Sequence, residues 1–191
     1  RREIMKKDSE NSIRILNNVV NGLYSSTVTN QPDTLPLNTK DKVLRVAIGS
    51  DHGGFESKEK LIVFLKELGY RVTDVGTYNT ESVDYPDFAL KVALKVKNGD
   101  CERGIMIDGA GIGSCMVCNK VRGIRAAMCY DLKTIVNSRE HNDANLLTLG
   151  GPLHSIEQIY EMVKVWLETR FAGGRHWKRI NKMMEVEKKY L

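Results

Sequence analysis

From residue 43 onward the chain alternates two kinds of apolar patterning, and this alternation restricts its fold more than any other feature. Short β-rich runs at 43–49, 70–75, 104–108, 123–129 and 146–149 have the length and composition of strands. Stretches at 55–68, 87–97, 114–121, 132–139, 156–170 and 176–190 carry apolar residues at helical spacing. Five strands that alternate with helices predict an α/β fold with a parallel sheet covered on both faces. Ligands of such sheets sit at the carboxyl ends of the strands. At 41% hydrophobic and 28% charged residues the chain is not wholly disordered. No segment offers the roughly 20 apolar residues of a membrane span, and no apolar h-region opens the chain, so no secretory signal is expected. A net charge of +5 suits an anionic small substrate and does not demand nucleic acid. The four cysteines, all between 101 and 129, suit reduced thiols of a cytoplasmic protein better than a disulfide frame.

Residues 1–42 differ in composition and are expected to form a separate N-terminal unit, with the main domain at 43–191. Ile13, Leu16, Val19, Val20 and Leu23 make one apolar stripe of a short amphipathic helix. Residues 25–42, with Pro32 and Pro36, read as a linker. The stripe suits a helix packed on its own domain, a frayed tail, or a peptide that docks on another protein.

Four clusters of chemistry-bearing residues are expected at the carboxyl ends of the strands. Ser50-Asp51-His52-Gly53-Gly54 follows the first strand, where two glycines admit close approach of a ligand and Asp51 could equally cap a helix. Asp108-Gly109-Ala110-Gly111-Ile112-Gly113-Ser114 follows the third. Its alternate glycines before a helix suit an anion nest. The spacing is neither a dinucleotide fingerprint nor a P-loop. Asp108 ends an apolar strand, where desolvation is expected to raise its pKa. The third cluster is 138–145, with His141, Asn142 and Asp143, although Asn and Asp also suit plain turns. The fourth is 173–179, where Arg175 and Arg179 share one helix face and suit a phosphate, or simply a solvated basic face. Cys115 and Cys118 have CxxC spacing inside a helix, which suits buried small side chains better than redox chemistry. No second ligand pair is spaced for zinc.

These motifs, in order, resemble the family of ribose-5-phosphate isomerase B and galactose-6-phosphate isomerase. The resemblance rests on residues 49–55, Asp84-Tyr85-Pro86, 109–113 with Asn119-Lys120, 123–126, 138–145 and 173–176, and spans about residues 43–188. It implies a Rossmann-like three-layer sandwich and a homodimer or tetramer with active sites shared between subunits. It also implies an aldose–ketose isomerisation of a sugar phosphate without metal or cofactor. Carried onto this chain, it makes His141 the ring-opening histidine, with Asp51 nearby. Gly109, Ala110, Gly111 and Gly113, with Asn142, would supply donors to a cis-enediolate. His52, Arg175 and Arg179 would bind phosphate, the arginines from the partner subunit, and Tyr85 would touch substrate.

The chain departs from the resembled pattern at three places. The best-known branch has a cysteine base at the position of Asp108, and another has a glutamate at that of Ser114. Here Asp108 is the one carboxylate of the loop and the expected base. Ala110 stands where the cysteine branch often has Thr or Ser, and Gly151-Pro152 where many members carry a phosphate-binding arginine. Ribose 5-phosphate is the expected substrate, with two alternatives. One is a hexose 6-phosphate of the galactose type. The other is a non-catalytic partner subunit, since one subunit of the heteromeric galactose isomerases resembles this pattern and relies on a cysteine-bearing companion. The extension resembles an encapsulation peptide, so residues 12–23 are expected to meet a shell protein of a bacterial microcompartment.

Overall fold

The computed structural model describes residues 43–191, so the amphipathic stripe, the linker and the encapsulation-peptide reading lie outside the described residues. Five strands form one parallel sheet: β1 (Arg45–Ser50), β2 (Arg71–Asp74), β3 (Arg103–Asp108), β4 (Ala126–Met128) and β5 (Leu146–Gly150). Their order is β2-β1-β3-β5-β4. Among the described residues the helices are α1 (Phe55–Glu67), α2 (Tyr85–Lys97), α3 (Ile112–Cys118), α4 (Leu132–Glu140), α5 (Ile156–Glu168) and α6 (Arg175–Tyr190), with a 3-10 turn at Gly151–Leu153 after β5. This is the expected α/β sandwich.

Local chemistry sets the helix ends. Asp131 and Thr134 cap α4 reciprocally, and Ser155 and Gln158 do the same for α5. Two elements differ most from the expectation. The helix expected at 114–121 is α3, which starts earlier and ends at Cys118. The strand expected at 123–129 shrinks to β4. Asn119 explains both ends of this difference. Its side chain accepts from the Ala126 N–H at 2.9 Å and donates to the Ala126 carbonyl at 3.0 Å. A side-chain amide thus takes the outer face of the edge strand, a place that a further strand would otherwise fill.

Alternation along β1 and β3 sends neighbouring side chains to opposite faces of the sheet. One face packs Ala47 and Met106 against Ala89, Val92 and Ala93 of α2 and Cys118 of α3. Leu61, Ile135, Val163 and Trp166 of α1, α4 and α5 are fully buried. β1 and β3 are neighbours, yet the chain leaves β1 toward β2 and β3 toward β4. Their carboxyl ends therefore flank a topological switch point. Among the described residues, no helix is long and apolar enough to cross a membrane.

Candidate active site

The switch point gathers the first two clusters. After β1 the chain turns through Asp51, whose N–H donates to the Ile107 carbonyl of β3 at 3.2 Å. Asp51 Oδ1 accepts from the Gly54 N–H at 3.0 Å, which orders the turn into α1. His52 Nδ1 accepts from the Val83 N–H at 3.2 Å. A ring nitrogen that accepts from a backbone amide carries no proton, so neutral His52 holds its proton on Nε2, a donor suited to an anion.

Asp108 ends β3 and is only 5% exposed. Its Oδ1 accepts from the N–H groups of Ala110 (2.8 Å) and Gly111. Its Oδ2 accepts from the Ser114 N–H (3.3 Å) and the Ser114 hydroxyl. Four donors on one carboxylate match its capacity and stabilise the charge that burial alone would penalise. The anion in the expected nest is therefore the chain's own. Sequence reasoning missed this role, although an Asp two or three residues before free N–H groups signals an Asx-type turn. The donors left for a ligand change accordingly. Ala110, Gly111 and Ser114 are engaged, while Ile112 and Gly113 open α3, where N–H groups lack intrahelical partners.

Two glycines shape this loop. Gly111 has φ +77°, and a Cβ there would come within 3.1 Å of the Leu149 backbone. A Cβ on Gly113 would lie 2.6 Å from Cζ and Oη of Tyr85, so the Tyr85 ring, at the start of α2, lies directly over the loop. The structure thus brings Asp51, His52, Tyr85, Asp108 and residues 109–113 together.

It does not bring the other two clusters to them, a correction to the expectation of four clusters at one end. α4 carries the chain back from the carboxyl end of β4 to the amino end of β5. His141 caps the last turn of α4, and the Asn145 N–H donates to the carbonyl of Arg125, just ahead of β4. His141 and Asn142 therefore lie at the amino edge of the sheet. The start of α6 lies there too, since the Ala172 N–H donates to the Glu140 carbonyl at 2.9 Å. Gly104 pairs with Leu146 and Asp108 with Gly150. At about 3.3 Å per residue the two edges stand roughly 13 Å apart, with the sheet between them.

The second half has its own order. The rings of His141 and His176 stack with centroids 4.3 Å apart and planes at 8°. His141 Nδ1 lies 2.9 Å from Asn137 Nδ2, and its Nε2 lies 3.7 Å from Glu140 Oε2. His176 is buried, and that burial, with His141, Arg175 and Arg179 beside it, holds its pKa below the usual imidazole range against the opposing pull of Glu140. Arg175 and Arg179 are exposed one turn apart on α6. A groove of about 850 Å³ opens beside this half, lined by Asn137, Asn142, Arg125 and Tyr130 among others.

Cys115 and Cys118 are not set up for redox work. Burial raises both thiols, Cys118 to about 12. Cys118 Sγ donates to the Ala89 carbonyl at 3.4 Å. Among the described residues no group of three or more His, Cys, Asp or Glu could hold a metal ion. Pro152, in the 3-10 turn after β5, offers no phosphate donor.

The profile of the family described as Ribose/Galactose Isomerase matches residues 46–183. Ribose-5-P isomerase B of Listeria innocua is 40% identical over 146 residues, covering 76% of this chain and 99% of that protein. The solved ribose-5-phosphate isomerase B of Clostridium thermocellum is 51% identical, with a TM-score of 0.76, covering 78% of this chain and all of that one. The Mycoplasma genitalium enzyme solved with bound ribulose-5-phosphate is 40% identical, with a TM-score of 0.73, covering 76% and 97%.

Proposed function

Because the chain belongs to the ribose/galactose isomerase family, we infer that it interconverts an aldose phosphate and a ketose phosphate, namely ribose 5-phosphate and ribulose 5-phosphate. The observation that carries this reading is the buried Asp108 carboxylate at the switch point, beside Asp51 and under the reach of Tyr85. One chain holds the two halves on opposite edges of its sheet. The working enzyme is therefore a homodimer whose site joins Asp51, His52 and Asp108 of one copy to His141, Asn142, Arg175 and Arg179 of the other.

The chemistry follows from these groups. The arginines and the Nε2–H of His52 hold the phosphate. The sugar ring opens as the C1–O4 bond breaks. O4 takes a proton from His141, and the C1 hydroxyl gives its proton to Asp51 as the aldehyde forms. Asp108 Oδ2 then takes the proton from C2. Of its four donors, the Ser114 hydroxyl is the one that can rotate away without moving backbone. The N–H groups of Ile112 and Gly113, with the Asn142 amide, meet the enediolate oxygens. The O2 proton moves to O1, and Asp108 returns its proton to C1, which completes the ketose.

Conversion of ribose 5-phosphate by the purified chain, beside galactose 6-phosphate, tests the reading; turnover of the hexose alone would overturn the pentose assignment. A second reading rests on the same carboxylate. With all four acceptor positions filled, Asp108 could serve only to lock the loop of a sugar-phosphate-binding subunit, and turnover by the chain alone would exclude that. We also place the enzyme in the cytoplasm, with the stripe at 12–23 docked on a microcompartment shell protein. Deleting residues 1–40 then spares turnover and abolishes co-purification with shell protein; unchanged co-purification would refute the docking.

A further inference from the structure

We propose that Asn137 is a positioning residue that sets the tautomer of His141, so that its Nε2 carries the proton needed for ring opening. The inference rests on the isomerase reading for its purpose, but its geometry stands apart from it. Asn137 lies on the exposed face of α4, one turn before His141, and belongs to none of the motifs that suggested the chemistry.

The assignment starts from a group with no ambiguity. The backbone carbonyl of Asn137 can only accept. It lies 3.2 Å from the terminal amide nitrogen of Asn142, so that end of Asn142 is the NH2 group. The same NH2 lies 3.1 Å from the side-chain oxygen of Asn137. Turning the Asn137 amide over would set one NH2 against another. Asn137 therefore presents its own NH2 to His141, 2.9 Å from Nδ1. A nitrogen that faces a donor must accept, so Nδ1 is bare and the proton of neutral His141 sits on Nε2.

The surroundings agree. The charged and titratable groups at His141 are Glu140 on its own helix and, from α6, His176 with Arg175 and Arg179 around it. Glu140 Oε2 lies on the Nε2 side at 3.7 Å, where a proton is favoured. His176 stacks on the ring face and makes no in-plane contact that would choose a nitrogen. Asn137, at 2.9 Å, is the group within hydrogen-bond distance of a ring nitrogen, and Glu140 favours the same tautomer from farther away. Functionally it matters because ring opening needs a proton delivered to the sugar oxygen, and only the outward nitrogen can deliver it.

Asn137→Asp isolates the effect. Its carboxylate still accepts from Asn142 but now demands a proton on His141 Nδ1, and at an exposed position it leaves the fold intact. Long-range proton–nitrogen NMR of the imidazoles, with His141 identified by its loss in His141→Gln, reads the tautomer without any substrate. The expected result is Nε2–H in the wild type and Nδ1–H in Asn137→Asp, with ribose 5-phosphate turnover lowered about tenfold or more. Ribulose 5-phosphate cannot form a five-membered ring through its esterified O5 and stays open. Deuterium uptake into it from solvent, which needs enolisation but no ring opening, is expected to fall much less. Nδ1–H in the wild type, an unmoved proton in Asn137→Asp, or equal losses in turnover and uptake would each overturn the proposal. A wild type that shows Nε2–H but converts no sugar phosphate would sink the isomerase reading and leave the tautomer assignment standing.

Discussion

Replacing Asp108 by Asn keeps the shape of the side chain and changes one acceptor into a donor. Oδ1 stays on the Ala110 and Gly111 N–H groups, which leaves the new NH2 facing Ser114. The Ser114 hydroxyl can turn and accept. Its backbone N–H, 3.3 Å away, cannot, and it becomes a buried donor without a partner. An orphaned buried donor costs about 1–3 kcal/mol, and bonds that lose their charge assistance weaken by about 1 kcal/mol. The expected loss of stability is about 2–4 kcal/mol, a fall in Tm of roughly 5–15 °C for a domain of this size. Turnover should fall about 10²- to 10⁴-fold, the usual contribution of a general base. Denaturant unfolding and ribose 5-phosphate turnover on the same preparation separate the two effects. Lost stability with turnover kept within about tenfold would make Asp108 a loop lock and move the base elsewhere. Lost turnover at unchanged stability would refute the four-donor geometry.

Three further expectations follow from single residues. Gly111→Ala forces a side chain into a left-handed backbone and against Leu149, so it should cost about 1–3 kcal/mol in chemical unfolding; an unchanged midpoint would show that the loop relaxes freely. The folded pKa of His176 is lowered, so the unfolded chain takes up its proton first as pH falls. The His176 contribution to stability should therefore be constant above about pH 6.5 and decline below it, and His176→Gln should remove that part of the acid-side decline; an identical slope in the variant would assign it to other groups. Cys118 and Cys129, with thiols pushed up to about 12 and about 11, should resist thiol reagents at neutral pH until the protein unfolds; rapid labelling of folded protein would contradict their burial.

The layered fold was legible because strands and helices bury their faces with different periods, and the five apolar runs are well separated. Boundaries were less so, for Asn119 ends α3 and shortens β4 through a contact with Ala126 that propensity does not register. The candidate site residues stood out as motifs, but the sequence reading set all four clusters at one end of the sheet, and two of them lie at the other. A cluster that follows a helix and precedes a strand lies at the amino edge of a parallel sheet, so the element order around His141 held the correct answer. Asp108 shows the converse: its place at the switch point was legible, while its capture by three backbone N–H groups and Ser114 depends on the exact path of the glycine loop. Asn137 gave no signal at all, since an exposed Asn on a helix is ordinarily a solvated one.

The central claim is that each working site is split between two copies of the chain, and mixing two defective variants tests it directly. Asp108→Asn disables one half of every site, and His141→Asn disables the other. Each variant alone should be nearly inactive. After joint refolding about half of the dimers pair one variant with the other, and each such dimer holds one intact site, so about a quarter of wild-type activity should return. Recovery no greater than the sum of the two separate variants would contradict the shared site.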